Sequence, residues 1–512
     1  MRVVLLLLGL LVCSSAQDYV GYQQPPLLSW EELRQIGEKD PMPKALAAKV
    51  DSLLATPFIS NEAYYAGAKP LRPDLPLLGP GLRAMLWNIE RGLRLQDVIN
   101  LFTDKQAFLA KADAKNATAL LDVADQVEFI RQSDVLILNE LDWGMKRTEY
   151  REVVRELGRA LNMNWAFAVE FLEVDPVHLG TEPFHDTEVE ESKKLQEMLK
   201  VDKERFRGLH GTAVLSRYPI RSAKALPFRI QGYDWYFGEQ ERVSKVEKSR
   251  RAVADKVFLE TILREIRRGG RTMLLVTLEV PDLPEKRLTI AAPHLENRCK
   301  PEKRRQQMGE VLRHLEKIDH PVILAGDLNT SLTDAKPTTV KREIYKRVGS
   351  GEFWAQRGLK WATGVGLAYD VVTTGVTKVK NLNDPTARHV PIVAPNPEAK
   401  LFELMQEFRF DDRGTFDFRG DRKRSPGSDA TLANSNQRAQ KGFEVTYEVE
   451  RNIGPFGQFK LDWLFVKPSR AGNYLFAPHF PRTLQQLNNS YEERLSDHHP
   501  MTVDLPFAEP RL

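Results

Sequence analysis

Polar residues that could bind a metal ion or move a proton lie at the ends of several apolar runs of the sequence, most of them after a run, but Asp462, Asp497 and His498 at or before the start of one. In chain order they are Asn88, Glu90, Glu140, Asp142, His294, Asp327, Asn329, Asp462, Asp497 and His498. Carboxylates gathered at one rim of a sheet repel one another unless a cation lies among them. Oxygen ligands without cysteine select a hard ion, so the sequence predicts a site for Mg²⁺, with Mn²⁺ or Ca²⁺ as alternatives. Such a cation beside a histidine and amide donors suits attack by water on phosphorus.

The apolar runs that position these residues have the length of buried β-strands. Helical periodicity lies between them at 118–131, 149–161 and 301–318. Strands and helices mixed at this density predict an α/β domain built in layers, in which polar groups at strand ends meet at one rim. The predicted strands are 84–90, 134–140, 211–217, 272–280, 287–294, 321–329, 461–467 and 500–505.

Each polar residue also has an ordinary structural explanation. An asparagine or glutamate after a strand is usually a turn or capping residue, and Asp327 could belong to an Asx turn. His294 could be a hydrogen-bonded core histidine, and Ser496–Asp497 could cap a helix. Only the combination of all these residues in this order favours a catalytic site.

The composition excludes several classes of protein. With 42% hydrophobic and 28% charged residues over 512 positions, the chain is neither collagen, nor a coiled coil, nor a polytopic membrane protein. A formal net charge of +4 on so long a chain does not identify a nucleic-acid binder. Two cysteines, Cys13 and Cys299, exclude a disulfide scaffold and a cysteine-rich zinc site.

The N-terminus predicts an exported protein. Arg2 precedes an apolar run at 3–12, and the small residues 14–16 provide a cleavage site, so residues 1–16 are interpreted as a signal peptide. A buried N-terminal helix and a lipid anchor at Cys13 are the alternatives. The apolar run is too short to span a bilayer, which needs about 20 residues, and no transmembrane segment is predicted.

The rest of the chain is interpreted as one catalytic domain with a leading segment. Residues 17–82 are rich in proline and predict an extended lead-in with one short helix at 45–54. Residues 83–507 form the domain, and no obligate protein partner is evident. Polar or charge-rich insertions interrupt it near 172–208, 235–270 and 370–458.

Seven blocks of the sequence together resemble the endonuclease/exonuclease/phosphatase superfamily, whose fold is that of deoxyribonuclease I. The resemblance implies two packed mixed β-sheets flanked by helices, a four-layer sandwich, and a metal-dependent phosphoester hydrolase. The blocks are WNIERG at 87–92, ILNELD at 137–142, GTAVLSRYPI at 211–220, APHLEN at 292–297, ILAGDLNT at 323–330, LDWLFV at 461–466 and LSDHHP at 495–500.

The resemblance also implies which residues hold the metal. Glu140 is its principal ligand, and Asn88 and Asp497 complete or extend the site. Asp142, two residues beyond Glu140, shares its side of the strand and could support the metal ligands from behind, but a surface position is expected. His499 is expected to have no catalytic role.

The resemblance assigns the chemistry to a second group of residues. His498 pairs with Asp462 on the preceding strand, which fixes its tautomer and steadies its charged form. Asp327 aligns or deprotonates the attacking water, and Asn329 donates a hydrogen bond to a phosphate oxygen. His294 matches a position that contacts the phosphate or helps the leaving oxygen depart. The general base is either Asp327 or His498; we expect Asp327, with protonated His498 stabilising the transition state.

The substrate is the least determined part of the interpretation, because one fold hosts many activities. A phosphodiesterase or nuclease is favoured, and a sphingomyelinase-like or other lipid or inositol phosphate phosphoesterase is the alternative. The basic residues Lys300, Lys303, Arg304 and Arg305 could bind flanking phosphates or form a solvated helix face. A catalytically inactive binding protein on the same fold should have lost a central site residue, and none is missing.

Overall fold

The computed structural model describes ten ranges of the chain. The predicted signal peptide and much of each predicted insertion lie outside them. The ranges are 19–38, 40–113, 117–182, 197, 199–240, 265–331, 396–417, 445–448, 458–491 and 494–509.

The strands in these ranges form two large mixed sheets and one short hairpin. In chain order they are β1 (Tyr22–Gln23), β2 (Phe58–Ser60), β3 (Asp74–Leu75), β4 (Gly79–Arg91), β5 (Val135–Trp143), β6 (Asn164–Glu173), β7 (Leu209–Ser216), β8 (Ile220–Pro227), β9 (Arg267–Gly269), β10 (Thr272–Glu279), β11 (Arg287–Pro293), β12 (Val322–Asp327), β13 (Tyr447–Glu448), β14 (Gln458–Phe459), β15 (Asp462–Lys467), β16 (His479–Thr483) and β17 (Met501–Pro506).

The first sheet has the order β1-β2-β6-β7-β5-β4-β17-β16, with β3 beside β4 and β9 beside β6. The second has the order β15-β12-β11-β10-β8, and β13 pairs with β14. Each large sheet contains one parallel pair, β4 with β5 and β11 with β12, among antiparallel neighbours. Every strand predicted from the sequence overlaps one of these strands.

Helices lie on the outer side of each sheet. The three predicted helices correspond to α6, α7 and α9, and a 3₁₀ turn covers Lys146–Thr148. The helices are α1 (Trp30–Glu38), α2 (Lys44–Ala55), α3 (Glu62–Tyr65), α4 (Leu95–Thr103), α5 (Lys105–Ala110), α6 (Ala117–Arg131), α7 (Val153–Leu161), α8 (Phe237–Gln240), α9 (Pro301–Leu315), α10 (Ala399–Glu407) and α11 (Gln485–Asn488).

Apolar side chains alternate between the two faces of each strand, and this alternation builds a core of four layers. In β4, Leu82 and Leu86 belong to the apolar cluster between the two sheets, whereas Met85 and Trp87 belong to the cluster under α1, α2, α4, α6 and α7. On the far side of the second sheet, Phe465 packs in the cluster that includes residues of α9 and α10. Side chains two residues apart in a strand share a face, so each strand serves two cores. The predicted fold class, two packed mixed sheets flanked by helices, is confirmed.

The leading segment contributes to this architecture. The predicted helix at 45–54 corresponds to α2, but α1 and two short strands accompany it. β1 and β2 extend the first sheet beyond β6. Leu33 and Ile36 of α1, spaced for one helix face, are fully buried. The prolines therefore separate short elements in this segment and do not keep it extended throughout. No helix in the described ranges is long and apolar enough to cross a membrane.

Candidate active site

Three strands of the first sheet are irregular at the same level: β4 and its neighbour β5, and β6, which β7 separates from β5. The pairing register shifts at 88–91 in β4, at 138–141 in β5 and at 169–171 in β6. Glu140 lies in one of these bulges with φ 57°, the left-handed region that costs a residue with a side chain about 1–2 kcal/mol. Bulges re-aim side chains and are common beside active sites. Here they bring Glu140 and Glu170 toward the end of the second sheet.

Asp327 is the residue on which the two sheets converge. It ends β12, opposite Asp462 of β15, and is almost fully buried. Its backbone N–H donates to Oδ1 of Asn139 in the first sheet at 2.9 Å. Its carboxylate accepts from the backbone N–H of Asn329 at 2.9 Å and from Nδ2 of Asn88 at 3.2 Å. Asp327 is therefore fixed from both sheets.

The strands beneath Asp327 pack closely, and a glycine makes this possible. A Cβ at Gly326 would lie 1.8 Å from the carbonyl oxygen of Pro293 on the neighbouring strand. No backbone movement of a few tenths of an ångström could relieve that contact. Gly326 in the GDLN block thus allows β12 to lie against β11 and places Asp327 beside His294.

His498 forms the first of two histidine–carboxylate pairs at this point. Its Nδ1 lies 2.8 Å from Oδ2 of Asp462, and its Nε2 lies 3.9 Å from Oδ2 of Asp327. The loop is held by Trp87, whose indole N–H donates to the carbonyl of His498 at 3.0 Å. Ser496 donates its hydroxyl to the carbonyl of Asn88 at 2.6 Å. The predicted His498–Asp462 contact is present.

The charges around His498 fix its protonation. Burial opposes a charged imidazole, but Asp462, by charge and hydrogen bond, and then Asp327 and Asp497 raise the pKa of His498 to about 10. Burial, followed by the charge of Asp462, raises the pKa of Asp327 above its ordinary value. At neutral pH the group therefore contains an imidazolium beside a carboxyl group that accepts a proton more readily than usual.

His294 forms the second pair, with a partner that sequence reasoning missed. Its Nδ1 lies 3.0 Å from Oε2 of Glu170, and its Nε2 lies 3.7 Å from Oδ2 of Asp327. Both members of the pair are fully buried. Asp327 thus lies between two histidines, each supported by a buried carboxylate.

Hydrogen bonds connect the second pair to Asp327 through the first sheet. Asn139, which accepts from Asp327, donates to the hydroxyl of Thr212 at 2.9 Å. That hydroxyl donates to Oε1 of Glu170 at 2.6 Å. Asn139 lies in the ILNELD block and Thr212 in the GTAVLS block, but neither was singled out from the sequence. The signal available was a polar residue within an otherwise apolar strand.

Arg271 completes the surroundings of His294 and was also missed. Its Nη1 lies 2.8 Å from Nδ1 and 2.9 Å from Nε2 of the imidazole, and it donates to Oε2 of Glu170 at 2.9 Å. Arg271 immediately precedes β10, so its place at the strand end is visible in the sequence, but its partners are distant in the chain.

The acidic and histidine side chains of the site fit a divalent cation. One ligand atom from each of Glu140, His294 and Asp327 lies within 4.8 Å of the others, and Asp327, Asp462 and His498 form a second such group. Glu140 is half-buried, so its carboxylate remains accessible. The buried Oδ1 of Asp462 has no hydrogen-bond partner among the described residues. A bound cation would stabilise such a group of hard oxygen donors, in which the charge of Asp462 already raises the pKa of Asp327.

The structure places the remaining predicted residues around this centre with different contacts. Asn88 reaches Asp327 directly. Nδ2 of Asn329 donates to the carbonyl of Leu295 at 3.0 Å, so its amide also holds the loop that follows His294. Asp497 is half-buried and its backbone N–H donates to Glu90 at 3.2 Å, but among the described residues its side chain belongs to neither potential ligand group.

Two expectations about neighbouring charges were wrong. Asp142 is fully buried and not at the surface, because Arg147 at 2.6 Å and His210 at 2.9 Å pair with its carboxylate. Within the basic cluster Lys300 and Lys303 are exposed, but Arg304 is buried and pairs with Glu398, so Arg304 itself forms neither a solvated helix face nor a phosphate contact. In both cases a buried partner replaces the solvent that the local sequence predicted.

Comparison with known proteins gives a family and several distant structures. The sequence profile described as the Endonuclease/Exonuclease/phosphatase family matches residues 85–498, which include every residue of the candidate site. No curated protein sequence shows a significant match.

Three similar solved structures have low sequence identity to this chain. An endonuclease/exonuclease/phosphatase from Beutenbergia cavernae DSM 12333 has 15% identity and a TM-score of 0.37, covering 83% of this chain and 71% of that one. ANGEL2, a 2',3'-cyclic phosphatase, has 13% identity and a TM-score of 0.36, and the match covers 83% of this chain and 94% of that one. The 3'-5' exonuclease NExo from Neisseria meningitidis has 12% identity and a TM-score of 0.34, and the match covers 83% of this chain and 99% of that one.

Proposed function

Because the chain belongs to the endonuclease/exonuclease/phosphatase family and is a phosphoester hydrolase, we propose that it is a Mg²⁺-dependent phosphodiesterase or nuclease that acts through in-line attack of water. The observation that carries this proposal is the position of Asp327. Its Oδ2 lies between the Nε2 atoms of His498 and His294, at 3.9 and 3.7 Å, and Glu140 lies beside it.

The cation would be held mainly by Glu140, with Asn88 and Asp497 at the edge of the site. When bound, Mg²⁺ would supply positive charge to the phosphate oxygens and polarise the phosphorus toward attack. Mn²⁺ or Ca²⁺ have the same preference for these oxygen donors. The acidic donor set supports this assignment, and metal removal tests it.

The remaining residues provide acid–base and electrostatic catalysis. Asp327, whose pKa is raised by burial and by Asp462, accepts the proton of the attacking water. His498 carries a positive charge and stabilises the charge that develops on the phosphoryl oxygens. His294, fixed by Glu170, hydrogen-bonds the phosphate or the leaving oxygen. Asn329 lies next to Asp327 and donates to a non-bridging oxygen once its amide turns from Leu295.

The test is a hydrolysis panel with Mg²⁺ and with EDTA. Plasmid DNA, RNA, sphingomyelin and a chromogenic phosphodiester are supplied to the purified chain. We expect Mg²⁺-dependent hydrolysis of a phosphodiester that EDTA abolishes and added Mg²⁺ restores. Hydrolysis of sphingomyelin alone would favour the lipid phosphoesterase. Absence of metal-dependent hydrolysis from every arm would contradict the proposal and favour an inactive binding protein.

Two variants connect the activity to the site. Glu140→Ala should lose nearly all turnover while retaining the fold, because the principal cation ligand is gone. His499→Gln is the matched control: His499 is fully buried next to His498, but its Nδ1 contacts Asn488 at 3.0 Å and not Asp327. We expect this control to retain most of its turnover. Equal activity of Glu140→Ala and the unaltered chain would show that the site is misassigned.

We also propose that the chain is exported, on the signal-peptide pattern of residues 1–16. Expression of the full chain and of a chain lacking these residues tests this. The full chain should be processed and leave the cytosol, whereas the shortened chain should remain there. Retention of both in the cytosol would contradict export without affecting the catalytic proposal.

A further inference from the structure

Arg91 is a buried arginine beside the principal cation ligand. It is the last residue of β4 and is 5% exposed. Its Nη2 donates to Oε1 of Glu265 at 3.0 Å, and its Nε lies 4.0 Å from Oε2 of Glu140. Nε and Nη1 have no hydrogen-bond partner among the described residues. Buried N–H groups without partners cost free energy, so other interactions must stabilise this arrangement.

The backbone is distorted in a way that brings Arg91 to this position. Glu90 has φ 47° and Arg91 has φ 68°, two successive residues with side chains in the left-handed region. The register with β5 shifts between Asn88 and Arg91, and Arg91 then lies opposite Leu141, the residue after Glu140. The irregularities of β4 and β5 therefore coincide, and together they place a guanidinium beside the carboxylate.

The guanidinium is firmly charged. Burial alone would lower the pKa of Arg91, but Glu265 first and Glu140 second raise it above its ordinary value. Glu265 is 6% exposed and also pairs with Arg267 at 2.8 Å, so it is held between two arginines. Arg91 thus presents a fixed positive charge to Glu140 and is itself held by Glu265.

A fixed charge at this distance competes with a bound cation. Two unit charges about 4 Å apart interact by several kcal/mol at the effective dielectric of a partly buried site. Glu140 is attracted to Arg91 before any cation arrives, and a cation at Glu140 is repelled by Arg91. Both effects reduce the gain in free energy on binding a cation, and a second cation would be repelled by the first as well.

We propose that Arg91, held by Glu265, is a positioning residue and a fixed counter-ion of Glu140, an inference that rests on the proposed function. Arg91 keeps the carboxylate of Glu140 in place and weakens the binding of divalent cations there, so that Glu140 binds one cation. Neutralising Arg91 should consequently tighten cation binding. A neutral side chain at position 91 is sufficient for this effect, because it removes the positive charge that competes with the cation for Glu140.

The experiment measures Mn²⁺ binding to metal-free protein without substrate, from the electron paramagnetic resonance signal of free Mn²⁺. The unaltered chain should bind one Mn²⁺. Arg91→Met should bind Mn²⁺ at least about tenfold more tightly, because the charge that competes with the cation for Glu140 is removed. Arg91→Lys, which keeps the charge, should stay within about twofold of the unaltered chain.

Arg83→Met is the matched control. Arg83 is a buried arginine of the same strand, 4% exposed, and its Nε donates to Asp504 at 2.6 Å at the other end of β4. Its loss removes the same charge far from Glu140 and should leave Mn²⁺ affinity unchanged. Equal tightening in Arg83→Met and Arg91→Met would overturn the inference, and so would weaker or unchanged binding in Arg91→Met.

Glu265→Gln provides a test that does not depend on the folding of Arg91→Met. Without Glu265, Arg91 keeps Glu140 as its nearest carboxylate, so Mn²⁺ binding should weaken by about threefold or more. Tighter or unchanged binding in Glu265→Gln would overturn the inference. If the unaltered chain binds no Mn²⁺, both the proposed metal dependence and this inference are overturned. If it binds Mn²⁺ and Arg91→Met binds with the same affinity, only this inference is overturned.

Discussion

The two histidines that flank Asp327 have nearly the same geometry but different surroundings. Nε2 of His498 and of His294 lie 3.9 and 3.7 Å from the same carboxylate oxygen. Behind each ring a buried carboxylate faces Nδ1, at 2.8 Å for Asp462 and 3.0 Å for Glu170. By distance alone the two pairs would be interchangeable.

Their charges distinguish them. The groups that raise the pKa of His498 to about 10 are the carboxylates Asp462, Asp327 and Asp497, so the imidazole itself carries the positive charge. Beside His294 lies a fixed cation, Arg271, whose Nη1 is 2.8 Å from Nδ1 and which also binds Glu170. The comparison shows that two histidine–carboxylate pairs of similar geometry can differ in whether an arginine also contacts the ring.

Substitution of each histidine should reveal this difference most strongly. His498→Ala removes the positive charge and leaves Asp327 and Asp462 to repel each other, so we expect kcat to fall by about 10³–10⁴-fold. His294→Ala leaves Arg271 in place, and we expect a loss of about 10²-fold. Both are measured with saturating Mg²⁺ on the best phosphodiester of the panel. An equal or larger loss of kcat in His294→Ala would show that Arg271 does not compensate for the missing imidazole.

The sequence was sufficient to predict the strands that carry the site. Each predicted catalytic residue follows, begins or precedes an apolar run, and in the structure Asn88, Glu140, His294, Asp327 and His498 lie at one rim. The strands could be predicted because the length of an apolar run and the polar residues at its ends are visible in a short stretch of sequence.

Glu170 could not be assigned a role in the same way. It lies inside β6, whose residues are all buried, so the strand shows no alternation between its faces. A charged residue in such a run signals a buried partner but does not identify it. Its partners His294 and Arg271 lie 124 and 101 residues further along the chain. For Asp142 this cause holds only for one partner: His210 is 68 residues away, whereas Arg147 is 5 residues away.

The second pair can be weakened without removing its histidine. Glu170→Gln keeps the size of the side chain but loses the negative charge that fixes His294 and Arg271. We expect kcat to fall by about 10–100-fold, the usual cost of losing a residue that orients a ligand or catalytic group, with KM changed less. The effect should be smaller than that of His294→Ala, because Arg271 still contacts the ring.

Glu173→Gln is the control for that substitution. Glu173 lies on the same strand and is equally buried, but it accepts from Arg147 at 3.1 Å and not from His294. It should lose stability to a similar extent while kcat changes only a few-fold. A comparable loss of kcat in both variants would show that Glu170 acts through the fold and not through His294.

The His498–Asp462 pair should make the free energy of unfolding depend on pH even when no substrate is present. The pKa of His498 is about 10 in the folded chain and about 6.5 in an unfolded one, so between these values the folded state binds the extra proton. Its contribution to stability is therefore complete below about pH 6.5 and is lost as the pH rises toward 10, by at most about 1.4 kcal/mol per pH unit. Asp462→Asn removes the main cause of the raised pKa and should flatten this slope. Glu170→Gln, which does not touch His498, should retain it. Urea unfolding in EDTA at several pH values gives the free energy of unfolding, and from it the slope against pH for each variant. Equal slopes in Asp462→Asn and the unaltered chain would show that His498 does not hold its proton through Asp462.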